Sequence, residues 1–172
     1  VIRAAATRLL DLTESAQQIE ENRDISPELE PTDIMPLVDR IVTECETRYA
    51  DVSITVDAPD KAIAETLPRV EVALFELVDN AAKHGGSPTS IEIDVHVSDL
   101  QVICQIRDDG PGLPNTERGV LETGEETPLV HGQGLGLWLC YWIITTLAGK
   151  IEVTEFDRGT TIEVHLPTPS QE

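Results

Sequence analysis

Glu76, Asn80, Lys83 and His84 share one short stretch, Glu-Leu-Val-Asp-Asn-Ala-Ala-Lys-His, and two further signals follow it in order: Asp108-Asp-Gly-Pro-Gly112 and Gly132-Gln-Gly-Leu-Gly136. Their chemistry converges on a nucleoside triphosphate. The Asn80 amide offers a neutral carbonyl oxygen, the kind of ligand that Mg2+ accepts while keeping several waters. Lys83, one helical turn on, supplies a mobile point charge for a phosphate. Glu76, one turn before Asn80, is a carboxylate placed to position water or polarise an acceptor group. Asp108, when ionised, only accepts hydrogen bonds, so it suits the exocyclic amine of adenine and repels the carbonyl oxygen of guanine. Gly110 and Gly112 allow a sharp turn and close backbone approach. Gly132, Gly134 and Gly136, with Leu135 between them, lead into a helix whose unpaired amides and dipole favour an anion. Each signal is weak alone; their order, with regular elements between them, carries the reading.

These residues need elements to hold them. From about Pro68 to His84 the apolar positions Val70, Ala73, Leu74, Leu77, Val78 and Ala81 mark one side of a helix. At about 100° per residue, Glu76, Asn80 and Lys83 fall on a polar stripe beside it. An earlier helix starts after Thr32-Asp33, with Pro36 in its first turn and Ile34, Leu37, Val38, Ile41, Val42, Cys45 and Tyr49 on one face. A third runs from near Gly134 to a stop at Gly149 and is apolar nearly all round, so it should be buried. Val52 to Val56 reads as a strand, with a weaker extended piece around Ala62 to Ala64. Strict alternation over Ile91 to Val97 and Val102 to Ile106, joined at Ser98-Asp99, predicts a hairpin with one buried face. Ile151 to Glu155 and Thr161 to Leu166 close the domain around Asp157-Arg-Gly159. Leu113 to His131 shows little periodicity and reads as a lid or a disordered stretch.

The expected fold is a two-layer α/β sandwich: a mixed, mainly antiparallel sheet with three helices on one face, plus an N-terminal helix. Residues 1 to about 23 have helical composition, and Asn22 to Pro31 reads as a linker, because Pro27 and Pro31 interrupt any helix. The expected division is residues 1–25 and 26–172.

Composition narrows the setting. A chain of 172 residues that is 40% apolar can bury a core. No run approaches the roughly 20 apolar residues that span a bilayer, and no signal-peptide layout opens the chain, so the expected location is the cytoplasm. Cys45, Cys104 and Cys140 are far apart and read as buried free thiols. Acidic residues outnumber basic ones 32 to 12, a net charge of -20, and only Lys61, Lys83 and Lys150 are lysines. Molar salt shortens the Debye length to about 3 Å and screens such a surface, which points to a salt-loving source, a halophilic archaeon. The same charge argues against nucleic-acid binding.

The three motifs together resemble the catalytic ATP-binding domain of sensor histidine kinases, a branch of the GHKL (Bergerat-fold) superfamily shared with type II DNA topoisomerases, Hsp90 and MutL. The resemblance covers residues 30 to 167. It implies that Asn80 ligates Mg2+, that His84 contacts the phosphates or ribose, and that Thr160 supports the adenine. Glu76 stands where the related ATPases carry a general base, whereas many histidine kinases have Asn. The function implied is transfer of the γ-phosphoryl of Mg-ATP to a histidine.

Two departures matter. Between Gly112 and Gly132 there is no Phe, Tyr or Trp, leaving Arg118, Val120 and Leu121 for any lid contact. The phosphoacceptor histidine is also missing, since the first histidine is His84. Residues 1 to 23 resemble the end of a dimerisation helix, so the expectation is a fragment of a longer kinase. Its expected partners are its dimerisation and phosphoacceptor domain, a response regulator, and a second copy through the N-terminal helix. The alternatives are an ATPase or nucleotide switch of the same fold, and an interaction module with a silent ATP site.

Overall fold

Ile91, Ile93 and Val95 on one strand and Val102, Cys104 and Ile106 on the next are all buried, so the alternation does produce a hairpin with one covered face. The computed structural model describes residues 28–86, 89–124, 135–155 and 159–169. Among them the order is β1 (Glu30–Asp33), α1 (Met35–Arg48), β2 (Val52–Asp57), β3 (Ile63–Thr66), α2 (Val70–His84), β4 (Thr89–Val97), β5 (Gln101–Asp108), α3 (Asn115–Thr123), α4 (Leu135–Thr146), β6 (Lys150–Glu155) and β7 (Thr160–Pro167). The expected N-terminal helix, the boundary near residue 25, Gly132, Gly134 and the Asp157-Arg158 turn lie outside the described residues.

The main sheet runs β2-β4-β5-β7-β6, with β2 and β4 parallel and the other neighbours antiparallel. The parallel pair requires a crossover, and α2 lies in it. Ile151 and Val153 of β6, and Ile162, Val164 and Leu166 of β7, are buried on the same side as the hairpin's apolar residues. The helices therefore cover one face, as a two-layer sandwich requires. Their contributions are Leu37, Val38, Ile41 and Cys45 from α1, Leu74, Leu77 and Val78 from α2, and Leu137, Leu139, Cys140, Ile143 and Ile144 from α4. Each fully buried aliphatic side chain of this size is worth about 1.5–3 kcal/mol of transfer free energy. All three cysteines are free and buried.

Two expectations change. The segment read as a lid contains α3, because Val120 and Leu121 are fully buried rather than available to a ligand. Arg118 ties this helix to the sheet, donating from Nη2 to the Val153 carbonyl at 2.9 Å. The covering layer consequently has four helices among the described residues, not three. The expected linker also ends early: Glu30 and Pro31 belong to β1, which pairs with β3 in a separate two-stranded sheet. A proline fits there because β1 has a partner on one side only. Asp33 then ties the start of α1 to the residue before β3, its Oδ1 accepting the backbone N–H of Met35 at 3.2 Å and of Ala62 at 3.1 Å.

Candidate functional site

The C-terminal half of α2, the end of β5 and the start of β7 meet around one narrow cleft. Leu77, Asn80, Ala81 and His84 come from α2, Ile106 and Asp108 from β5, Pro111, Gly112 and Leu113 from the loop after β5, and Thr160 and Ile162 from β7. Two sequence signals far apart in the chain thus share one cavity. Leu77, Ile106, Leu113 and Ile162 make its wall apolar, and Asn80, His84, Asp108 and Thr160 supply the polar groups. That mixture, apolar walls with a few convergent polar groups, is the usual make-up of a small-molecule site.

Asp108 is held from several directions. Its Oδ1 accepts the Gly110 N–H at 2.8 Å, and Thr160, its partner across the β5–β7 ladder, donates both its N–H and its hydroxyl. Burial nevertheless dominates and raises the carboxyl above the ordinary aspartate range, with the Asp109 charge adding to the effect. Close backbone packing makes the turn possible. A Cβ on Gly110 would stand 2.7 Å from the Gly85 Cα, so this loop lies directly against the end of α2. Gly159, at φ +94°, sits where a Cβ would overlap the Asp108 carbonyl oxygen. The neighbouring Asp109 turns away and accepts the Ser90 N–H at 3.0 Å.

Residues 65–170 match the family described as histidine kinase-, DNA gyrase B-, and HSP90-like ATPase, and they make up more than half of the chain. The chain belongs to this ATPase family. Among its relatives, the sensor protein KdpD of Escherichia coli K12 is 32% identical over 123 residues, 67% of this chain and 14% of KdpD. The histidine-protein kinase AfsQ2 of Streptomyces coelicolor is 30% identical over 136 residues, 76% of this chain and 25% of AfsQ2. The chain thus spans a quarter or less of either relative's length. The ATP-binding domain of PrrB from Mycobacterium tuberculosis superposes with a TM-score of 0.68 at 26% identity, over 84% of this chain and all of that one. The histidine kinase AdeS of Acinetobacter baumannii shares the fold with a TM-score of 0.75 at 20% identity, over 97% of this chain and 80% of that one.

In this ATPase domain the polar stripe of α2 divides. Asn80 faces the cleft. Glu76 instead lies against the first turn of α4, close enough that a Cβ on Gly136 would stand 2.7 Å from its Oε2. It also lies near Cys140, whose thiol is pushed well above its ordinary value by burial first and the Glu76 charge second. Leu135 opens the same helix. Lys83 is absent from the cleft lining and its ammonium pairs with Asp79, one turn back on α2. His84 is exposed at the helix end and borders the cleft.

Asp79 is the residue that motif reasoning passed over. It is 2% exposed and gathers Lys83, Arg48 and Tyr49, with Arg48 Nη1 at 3.0 Å and the Tyr49 hydroxyl donating at 2.8 Å. Burial alone would raise its carboxyl, but the bonds from Lys83 and Tyr49 and the charges of Lys83 and Arg48 outweigh burial and leave it below the ordinary range. Tyr49 responds in the other direction, its hydroxyl pushed up to about 12 by burial and by the bond to Asp79. Arg48 also covers the Phe75 ring, 5.1 Å from its centroid. The sequence did hold a signal: an acidic residue four positions before a lysine is a favourable helical pair, and the flanking Val78 and Asn80 disguised it.

Proposed function

We propose that the cleft binds Mg2+-ATP and that the domain transfers the γ-phosphoryl group to a histidine on a phosphoacceptor domain outside this chain. The observation that carries the reading is the meeting of Asn80, from α2, and Asp108, from β5, in one cavity. Asp108 would accept the adenine amine, its carboxylate oriented by Gly110 and Thr160. Gly112 and the apolar wall would lie against the faces of the base. Lys83, on a flexible and half-exposed side chain, would exchange Asp79 for a phosphate oxygen, with His84 beside it. Gly132, Gly134, Leu135 and Gly136 would supply backbone amides to the phosphates at the start of α4.

The donor set fits magnesium, because the Asn80 amide is a neutral oxygen donor on the cleft side of α2. Asn80 would hold the ion, which when bound neutralises charge on the phosphates. The protein's own contribution is positioning and charge stabilisation, the main sources of phosphoryl-transfer catalysis. Incubating the chain with labelled ATP and a separately supplied histidine phosphoacceptor domain tests the assignment. Transfer that disappears with Asn80→Ala, in a variant whose melting temperature is unchanged, is the expected result. Full transfer by that variant overturns it.

A second reading is favoured by Glu76. A carboxylate next to the start of α4 could orient water, giving an ATPase or nucleotide switch. ATP hydrolysis by the chain alone, abolished by Glu76→Gln while transfer persists, would assign it that role.

The rest of the proposed setting follows from this reading. A response regulator would receive the phosphoryl group downstream, and a second copy would pair through residues 1 to 23. No helix among the described residues is long and apolar enough to cross a membrane. We place the domain in the cytoplasm of a halophilic archaeon, on the strength of its net charge of -20.

A further inference from the structure

On the face of the sheet opposite the helices, three ligand-bearing side chains converge across β6 and β7. Glu163 and His165 alternate with buried Ile162, Val164 and Leu166, and Glu152 with buried Ile151 and Val153, so all three point away from the core. Glu152 stands opposite Glu163 in the ladder, and His165 lies two residues further along β7. The His165 Nε2 is 3.4 Å from Glu163 Oε2 and 3.6 Å from Glu152 Oε2. It is buried and has no hydrogen-bond partner.

We propose that Glu152, Glu163 and His165 bind a divalent transition cation of the Zn2+ type. The separations support this: ligands about 2.0–2.1 Å from a tetrahedral zinc stand roughly 3.3–3.5 Å from one another. The surrounding groups orient the ligands. His165 Nδ1 lies 3.2 Å from Gln101 Oε1, and in the tautomer that donates Nδ1–H to this oxygen the Nε2 lone pair faces the carboxylates. In that tautomer three acceptors meet with no donor between them, and a cation resolves that. Gln105 Nε2 donates to Glu163 Oε1 at 2.7 Å, which leaves Oε2 turned toward His165. Lys150 occupies Glu152 Oε1 and leaves its Oε2 for the same purpose. Metal-bound histidines commonly have such a partner on their second nitrogen, and ligating carboxylates are likewise hydrogen-bonded.

His165 is five residues beyond Thr160 on β7, roughly 16 Å along the strand and on the opposite face, so this site is separate from the cleft. Its effect would be to clamp the β6 edge to β7.

The test uses the untagged full chain at molar KCl with excess Mg2+, which suppresses loose binding to the acidic surface. Co2+ is the probe. One equivalent should bind with the intense visible absorption of tetrahedral cobalt, be displaced by Zn2+, and raise the melting temperature. His165→Gln and Glu163→Gln should lose the absorption and the thermal shift while keeping the wild-type circular dichroism and melting temperature without metal. Gln101→Ala, which removes the orienting acceptor, should weaken binding about 10–100-fold. Absence of a stoichiometric tetrahedral spectrum, or a spectrum that survives His165→Gln, overturns the proposal. So does finding by NMR that His165 stays doubly protonated at neutral pH when Zn2+ is present, because a proton would then occupy the Nε2 position.

Discussion

Lys83 pairs with Asp79 one turn earlier on α2, and the two differ sharply in exposure: the Asp79 side chain is 3% exposed and that of Lys83 50%. The carboxylate is also bound by Tyr49 and Arg48, whereas half of the lysine side chain lies open to solvent. In the proposed nucleotide complex Asp79 would be the mooring that Lys83 leaves.

Asp79→Asn should destabilise the fold by about 1–3 kcal/mol, because Tyr49 and Arg48 lose a charged acceptor while partly exposed partners regain some hydration. The native carboxyl titrates below its unfolded-chain value of about 3.9. Its stabilisation is thus complete above that value and is lost as the pH falls through the lower native one. Urea melts between pH 6 and strongly acidic conditions should show a steeper acid loss for the wild type than for Asp79→Asn.

For Asp108 the sign reverses, because burial raises its native value. The ionised form that would accept the adenine amine disappears as the pH falls through that raised value, so ATP affinity should begin to weaken at a higher pH than for an ordinary aspartate. Calorimetry at neutral pH should find ATP bound in preference to GTP. Asp108→Asn should cost ATP affinity about 10–100-fold, the worth of a hydrogen bond to a charged group, and flatten the acid dependence. Equal ATP and GTP affinities in the wild type would refute the assignment.

Leu121 is 0% exposed on a helix whose segment reads from sequence as a lid. Leu121→Ala should cost about 2–5 kcal/mol in a denaturant titration, as a buried leucine does. A change below about 0.5 kcal/mol would show that α3 is not packed in solution.

The acidic surface should make salt a stabiliser. Raising KCl from 0.1 M to 1 M shortens the Debye length from about 10 Å to about 3 Å, and the melting temperature of this chain of net charge -20 should climb across that range. A midpoint independent of salt would remove the argument for a high-salt setting.

Much of the architecture was legible in the residues themselves. Period-two alternation marked β4 and β5, and period 3.6 marked α1 and α2, because each element hides one face from water and its sequence records which. The membership of Asn80 and Asp108 in distinct polar motifs was equally plain. Tertiary structure decided the rest. Burial of Val120 and Leu121 made a helix where local periodicity was faint, and pairing with β3 made a strand of a proline-bearing segment. The destination of each polar side chain was also beyond local pattern: Asn80 to the cleft, Glu76 to the start of α4, Lys83 to Asp79, and His165 to two glutamates on the far face. Helical and strand periodicities say which side of an element a residue occupies. Which partner waits there depends on contacts between segments far apart in the chain, and those exist only once the core has packed.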